Sequence, residues 1–175
     1  LYFTQIGFSI IPQDTASLKY LLALINSKLF TYYHKYRFLD IEKDLFQKIL
    51  IANCKQLPIK EISASEQRKF ISKVESVICL TSEFLSNTDR FQNYLISQFR
   101  IKSLPRKLQD WWGLEYGVFI AELRKFPLNE NSQGLSKKEE LEWMEVFQAK
   151  KQVVQDLRFE IDKIDIETDQ MVYEL

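Results

Sequence analysis

The most constraining feature of the sequence is an apolar repeat that runs from Trp143 to Leu175 at alternating spacings of four and three residues. Eight of its ten positions are apolar; the ten are Trp143, Phe147, Lys150, Val154, Leu157, Ile161, Ile164, Thr168, Met171 and Leu175. This is a heptad pattern, typical of a long helix that packs against a partner helix. A capping box at Ser136 and Glu139 precedes the repeat, so the sequence predicts one helix over 136–175. The partner helix comes either from this chain or from another.

The first third of the chain has a different pattern. Residues 1–12 (LYFTQIGFSIIP) are rich in β-branched and aromatic side chains, which predicts a strand that ends at Pro12. A helix is predicted from Asp14 or Thr15 to about Phe38. One or two short strands are expected within residues 39–58, paired with the first strand. Because the chain starts inside the first pattern without Met, we expect it to be a piece of a longer protein.

The middle of the chain is predicted to be helical. A second capping box, Ser63 and Glu66, precedes a helical stripe that reaches Leu85. A further helix is expected over 89–102 and two short ones within 111–127. The predicted fold class is therefore α+β, dominated by helices, with a small N-terminal β-sheet and long C-terminal helices of coiled-coil type. The predicted parts are an α/β part at 1–62, a helical part at 63–128 and the heptad helix at 136–175.

Charge is unevenly distributed along the chain although the formal net charge is zero. Residues 1–112 carry 16 Lys and Arg against 10 Asp and Glu, and residues 113–175 carry 8 against 14. Such asymmetry is typical of a basic surface for an anionic partner beside a separate acidic element. The alternative is two solvated helical faces that differ by chance.

The sequence lacks the residue patterns that most kinds of catalytic site use. The four glycines are scattered, which excludes a glycine-rich phosphate loop, and His34 is the only histidine. Cys54 or Cys79 could pair with His34 as a nucleophile, but such cysteines are more often small core residues. We expect five acidic residues of the last helix to be solvated flanking positions rather than cation ligands: Glu160, Asp162, Asp165, Glu167 and Asp169. The longest apolar run, 20–25, is too short to span a membrane, and we expect a soluble, cytoplasmic protein without a catalytic or metal site.

A binding segment lies at 28–37 (KLFTYYHKYR), where three tyrosines alternate with cations. Cations hold a protein on phosphates, and aromatic side chains can contact bases or sugars. The alternative is that Tyr32 and Tyr36 pack in the core, because they fall on the apolar stripe of the predicted helix. In that case the cations only keep the helix soluble.

Several stretches resemble one known family in the expected order. Residues 21–30 (LLALINSKLF) are similar to the LLALLNSKLF stretch of the TaqI-like specificity domains of adenine-specific DNA methyltransferases and fused type II restriction–modification enzymes. The similarity continues, in chain order, at 56–59 (QLPI), 65–67 (SEQ), 108–114 (LQDWWGL), 119–125 (FIAELRK) and 161–175 (IDKIDIETDQMVYEL). It spans nearly all of the chain, although none of these pieces is a catalytic fingerprint.

The resemblance implies a C-terminal target-recognition part that positions double-stranded DNA for a catalytic domain outside this chain. In the family an upstream domain of the same polypeptide carries S-adenosylmethionine and an Asn-Pro-Pro-Tyr motif. This sequence has no such motif and no evident nuclease signature, so we expect no catalytic activity and no cofactor in this chain. Whether the parent protein also cleaves DNA stays open.

The family motifs do not say which residues contact DNA, so charge and position give the candidates. They are Tyr33, His34, Lys35, Arg37, Lys43, Gln47 and Lys48, with Arg68 and Lys69 as second-rank phosphate contacts. The alternative function is a helical oligomerisation or protein-interaction module that does not bind DNA. A homodimer through the heptad helix is compatible with either function, and a complete small enzyme ranks last because no polar triad converges.

Overall fold

The computed structural model describes residues 10–11, 17–39, 50–126 and 135–175. In this part of the chain 78% of the residues are helical. The α-helices are α1 (Leu18–Asn26), α2 (Lys28–Phe38), α3 (Ile51–Cys54), α4 (Ala64–Gln98), α5 (Arg106–Gln109), α6 (Tyr116–Leu123) and α7 (Lys137–Tyr173), with a 3₁₀ turn at Trp111–Gly113. None of these helices is long and apolar enough to cross a membrane.

The predicted α+β class with an N-terminal sheet is wrong, because the described residues contain no strand and the fold is all-α. The strand expected over 39–58 was based on the apolar run at 49–51. Ile51 instead begins α3, since so short a run cannot distinguish a strand from one turn of helix. The strand expected at 1–12 lies almost entirely outside the described residues.

The two long helices begin where the capping boxes predict. The N–H of Ser63 donates to the Glu66 carboxylate at 2.9 Å, and the N–H of Glu66 donates to the Ser63 hydroxyl at 3.3 Å. Ser136 and Glu139 repeat this exchange at 2.7 and 3.3 Å before α7. Both predicted caps are confirmed. The two helices predicted at 63–85 and 89–102 are instead one helix, α4. Thr88 and Phe91 are buried, so the helix continues to pack through the polar residues that separate the two predicted segments.

The chain divides into two compact units, and α4 and α7 contribute residues to both. The first unit consists of the described residues of Leu1–Ile78 together with Asp162–Leu175. Its core joins Tyr20, Ala23 and Leu24 of α1, Phe30 of α2, Phe70 and Val74 of α4, and Val172 of α7. The hydroxyl of Tyr20 donates to the carbonyl of Lys60 at 2.8 Å. This core fixes α1 and α2 against α4 and α7.

The second unit, Cys79–Ile161, is built around aromatic rings. The ring of Phe119 stacks on Phe147 with centroids 4.3 Å apart, and Phe91 contacts Trp111 at the same separation. Three heptad positions of α7 are buried in this core, namely Trp143, Phe147 and Val154. In this unit the heptad stripe is therefore covered by residues of the same chain.

Arg100 ends α4 in an unusual conformation. Its φ of 49° is the only positive φ at a non-glycine position among the described residues. The N–H of Ile101 donates to the carbonyl of Ile96 at 3.2 Å, and that of Arg100 donates to Ser97 at 3.4 Å. This is the Schellman pattern, in which the left-handed position is usually glycine.

Candidate nucleic-acid interface

A break at Ser27 separates α1 from α2 and sets the direction of α2. The backbone of Ser27 is extended, with φ of −69° and ψ of 152°. Its hydroxyl accepts from the N–H of Phe30 at 3.2 Å and donates to the carbonyl of Leu24 at 2.7 Å. Serine is a strong N-cap, so one buried side chain ends the first helix and begins the second. The single helix predicted to Phe38 is therefore two helices.

The outward side of α2 carries two exposed tyrosines. Tyr32 is 60% exposed and Tyr36 is 54% exposed. Their ring centroids lie 4.3 Å apart, as expected for aromatic residues four positions apart on one face. The interpretation that these tyrosines pack in the core is wrong. It placed the tyrosines on one apolar stripe with Leu18 and Leu22, but that stripe is exposed in α1 as well as in α2. The buried residues of this segment lie on another side of the helices: Tyr20, Ala23, Leu24, Ser27 and Phe30.

Positive charge surrounds the tyrosines. Residues 17–39 contain no Asp or Glu. The Lys35 ammonium lies 5.7 Å from the centroid of the Tyr36 ring, close enough for a cation–π contact. Lys28 pairs with Asp169 of α7 at 3.3 Å, whereas neither Lys35 nor Arg37 forms an ion pair with the other described residues. We call Lys28, Tyr32, Lys35 and Tyr36 the α2 surface. It presents aromatic rings and cations, and residues 17–39 contribute no carboxylate to it.

The residues predicted from sequence in this helix divide into two groups. Lys35 and Arg37 are exposed, and the Arg37 guanidinium lies 6.0 Å from the Phe38 ring. Tyr33 and His34 are half-buried and pack on the same ring at 5.9 and 5.6 Å. Nε2 of His34 is buried and has no hydrogen-bond partner among the residues that the structure describes. Tyr33 and His34 therefore support the inner side of α2.

The remaining candidates lie elsewhere. Arg68 and Lys69 are exposed on the first turns of α4, in the same unit as α2. Lys43, Gln47 and Lys48 lie outside the described residues.

Sequence reasoning missed Tyr32 and Tyr36 as surface residues. The signal that could have identified them is a second stripe at spacings of four, three and three, which leaves both tyrosines outside: Tyr20, Leu24, Ser27 and Phe30.

The sequence candidates for nucleophilic and cation chemistry are Cys54, Cys79 and the acidic residues of α7. Burial raises the pKa of the Cys54 thiol, which disfavours the nucleophilic thiolate. Two of the acidic residues of α7 are structural, because Glu167 pairs with Lys73 and Asp169 with Lys28. Within the described ranges no three His, Cys, Asp or Glu side chains are grouped to hold a metal ion. These contacts are those of a scaffold that holds α2 in place.

Comparison with known proteins gives a family match that assigns no activity. A family model described as a domain of unknown function, DUF8810, matches residues 63–172. The chain belongs to this family. The match begins at the cap of α4 and ends within the last turns of α7, so α1 and α2 lie before it. Neither the search of curated proteins nor the search of solved structures found a match.

Proposed function

We propose that this chain is the DNA-recognition domain of a restriction–modification adenine methyltransferase and that α2 contacts the duplex. The observation that carries the proposal is the α2 surface, which combines two exposed tyrosines with cations in a segment free of carboxylates. The resemblance of residues 21–30 to the specificity domains of these enzymes supports it independently, because that stretch contains the Ser27 break and the start of α2.

The side chains of α2 have different roles in this proposal. Lys35 and Arg37 have no ion pair among the described residues, so their charges are available to phosphate oxygens. A cation at a phosphate releases a condensed counterion, which provides affinity without sequence information. Tyr32 and Tyr36 offer ring faces and hydroxyls to sugars and base edges. Arg68 and Lys69 are placed as further phosphate contacts.

Methyl transfer itself belongs to another domain in this proposal. An adenine inside a duplex must be flipped out before its amino group can react, and a second domain must grip the duplex meanwhile. The catalytic domain would supply S-adenosylmethionine and the catalytic motif, and this chain would supply the grip. Such an enzyme acts on cellular DNA, so we place the protein in the cytoplasm.

Fluorescence anisotropy with a short labelled duplex tests the role of α2. Lys35→Ala with Arg37→Ala should weaken binding and reduce the slope of log affinity against log salt by about 2, or about 0.9 for each lost phosphate contact. Lys150→Gln is the matched control, because Lys150 is an exposed lysine of the second unit. Equal affinity and slope in the double variant and the wild type would refute the proposal for α2.

Tyrosine variants separate the aromatic role from the electrostatic one. Tyr32→Ala with Tyr36→Ala removes the ring pair and no charge. Affinity should fall at every salt concentration while the salt slope stays that of the wild type, since no counterion release is lost. A change of slope as large as that of the lysine and arginine variant would contradict this division of roles.

The second candidate function is a protein-interaction module. One observation favours it: Phe159 and Ile166 of α7 are 68% and 60% exposed and lie seven residues apart, the repeat of a coiled-coil position. Sedimentation at increasing protein concentration distinguishes the two functions. A concentration-dependent dimer without duplex affinity at low salt would favour the interaction module.

A further inference from the structure

A second cationic surface lies in the other unit, where α4 leads into α5. Residues 100–107 contain Arg100, Lys102, Arg106 and Lys107 and no carboxylate. All four cations are exposed, whereas the apolar residues among them are buried or half-buried. The segment therefore presents charge to solvent and keeps its hydrophobic side chains inside.

Packing brings a second pair of cations to the same place. The Phe99 ring lies 6.5 Å from that of Phe126, so the end of α4 meets the end of α6. Lys107 and Lys125 both reach the Glu122 carboxylate, at 3.4 and 2.6 Å, and the Glu122 side chain is only 10% exposed.

Arg124, beside Lys125, pairs with Glu140 of α7 at 2.6 Å. The six cations of residues 99–107 and 122–126 thus meet two carboxylates, Glu122 and Glu140, and four positive charges remain in excess. Arg100, Lys102 and Arg106 have no ion pair within the ranges that the structure describes.

Arg100 occupies a position where glycine is more stable. A side chain in the left-handed region clashes with its own backbone, and the Schellman end of a helix is the usual place for glycine. An arginine held at φ 49° therefore lowers folding stability. Strained residues of this kind concentrate at functional sites, and here the strain places a guanidinium at the edge of the cationic surface.

We propose that the cationic surface of the second unit binds backbone phosphates of double-stranded DNA through Arg100, Lys102, Arg106, Lys107 and Lys125. This inference rests on the proposed function and adds the second unit to the DNA contact. A protein partner fits less well, because protein interfaces have an apolar centre and this segment exposes none. The contact would be electrostatic and independent of base sequence, with Arg100 and Arg106 able to bind phosphate oxygens in a bidentate manner.

Two variants of the 175-residue chain test the inference with a short labelled duplex of mixed sequence. Arg100→Gly should weaken binding and reduce the salt slope by about 1, yet raise Tm by about 2–4 °C because it removes the backbone strain. Loss of affinity in a more stable protein cannot come from misfolding. Lys102→Gln with Arg106→Gln should reduce the slope by about 2. The control Lys150→Gln, on α7 seven residues beyond Trp143, should change neither the DNA affinity nor the salt slope.

The outcomes separate this inference from the proposed function. If Lys35→Ala with Arg37→Ala weakens binding while the variants of the second unit bind like the wild type, the inference is overturned and the role of α2 stands. If only the variants of the second unit lose affinity, the inference holds and the role of α2 fails. A wild-type chain that does not bind the duplex at about 50 mM salt would overturn both.

Discussion

Replacing Ser27 with alanine tests whether one buried serine sets the direction of α2. The serine is 2% exposed, and its hydroxyl caps the N–H of Phe30 and donates to Leu24. Alanine removes both hydrogen bonds. It is also the best helix former, so it favours a continuous helix across the break. That continuation would bring α2 onto the axis of α1 and so displace the α2 surface.

The size of the effect follows from the two lost hydrogen bonds. Loss of an N-cap costs about 0.5–2 kcal/mol. Because Phe30 and Ser27 are both buried, water does not readily replace the serine hydroxyl, and we expect about 1–2 kcal/mol. For a chain of this length, that corresponds to a fall in Tm of about 2–8 °C.

Thermal unfolding by circular dichroism and duplex binding by anisotropy measure the two consequences. Ser27→Thr keeps the hydroxyl and should retain more of the stability and the affinity than Ser27→Ala. Ser63→Ala removes a comparable cap from α4, where the Ser63 hydroxyl accepts from Glu66 at 3.3 Å. It should lower Tm by a smaller amount, because water can replace the exposed Ser63 hydroxyl, and it should leave DNA affinity unchanged. An unchanged Tm in Ser27→Ala, or equal affinity losses in Ser27→Ala and Ser63→Ala, would refute the reasoning.

Three further predictions concern the second unit. Phe119→Ala deletes a fully buried ring and should destabilise by about 3–5 kcal/mol in urea unfolding, whereas a loss below about 1 kcal/mol would show that the site collapses. Gly117→Ala places a Cβ with no atom within 4 Å and should stabilise by about 0.5–1 kcal/mol, so a lowered Tm would contradict the prediction. A hydrogen bond from Lys125 holds the pKa of Glu122 below its ordinary value. The charged carboxylate therefore stabilises the fold at pH values above the ordinary pKa, and this contribution is lost as the pH falls through the lowered pKa. The Tm difference between the wild type and Glu122→Gln should shrink from neutral pH to about pH 3, and a constant difference would exclude this linkage.

Local sequence signals predicted the long helices because these signals are independent of tertiary contacts. Both capping boxes use side chains within three residues of each other, so their sequence spacing is sufficient to identify them. The predicted sheet failed for the opposite reason. A short apolar run such as 49–51 contains no periodicity, and its conformation depends on which neighbours cover it.

The candidate interface was predicted in part. Lys35 and Arg37 follow from composition, since residues 17–39 carry cations and no carboxylate. The exposure of Tyr32 and Tyr36 did not follow, because the sequence favoured an apolar stripe through Leu18 and Leu22 that included them, and that stripe is exposed in the structure. The cations at 100–107 are visible in the sequence, but Lys125 could not be assigned to the same surface, because it meets Lys107 only at Glu122 in the folded chain.

The sequence by itself determined where the long helices begin and that the segment of α1 and α2 carries only positive charge. Short-range backbone chemistry and composition are enough for both. Only the tertiary structure decided that the heptad positions Trp143, Phe147 and Val154 pack within their own chain and that the tyrosines of α2 face outward. These outcomes depend on contacts between segments that are far apart in the chain, which no local pattern encodes.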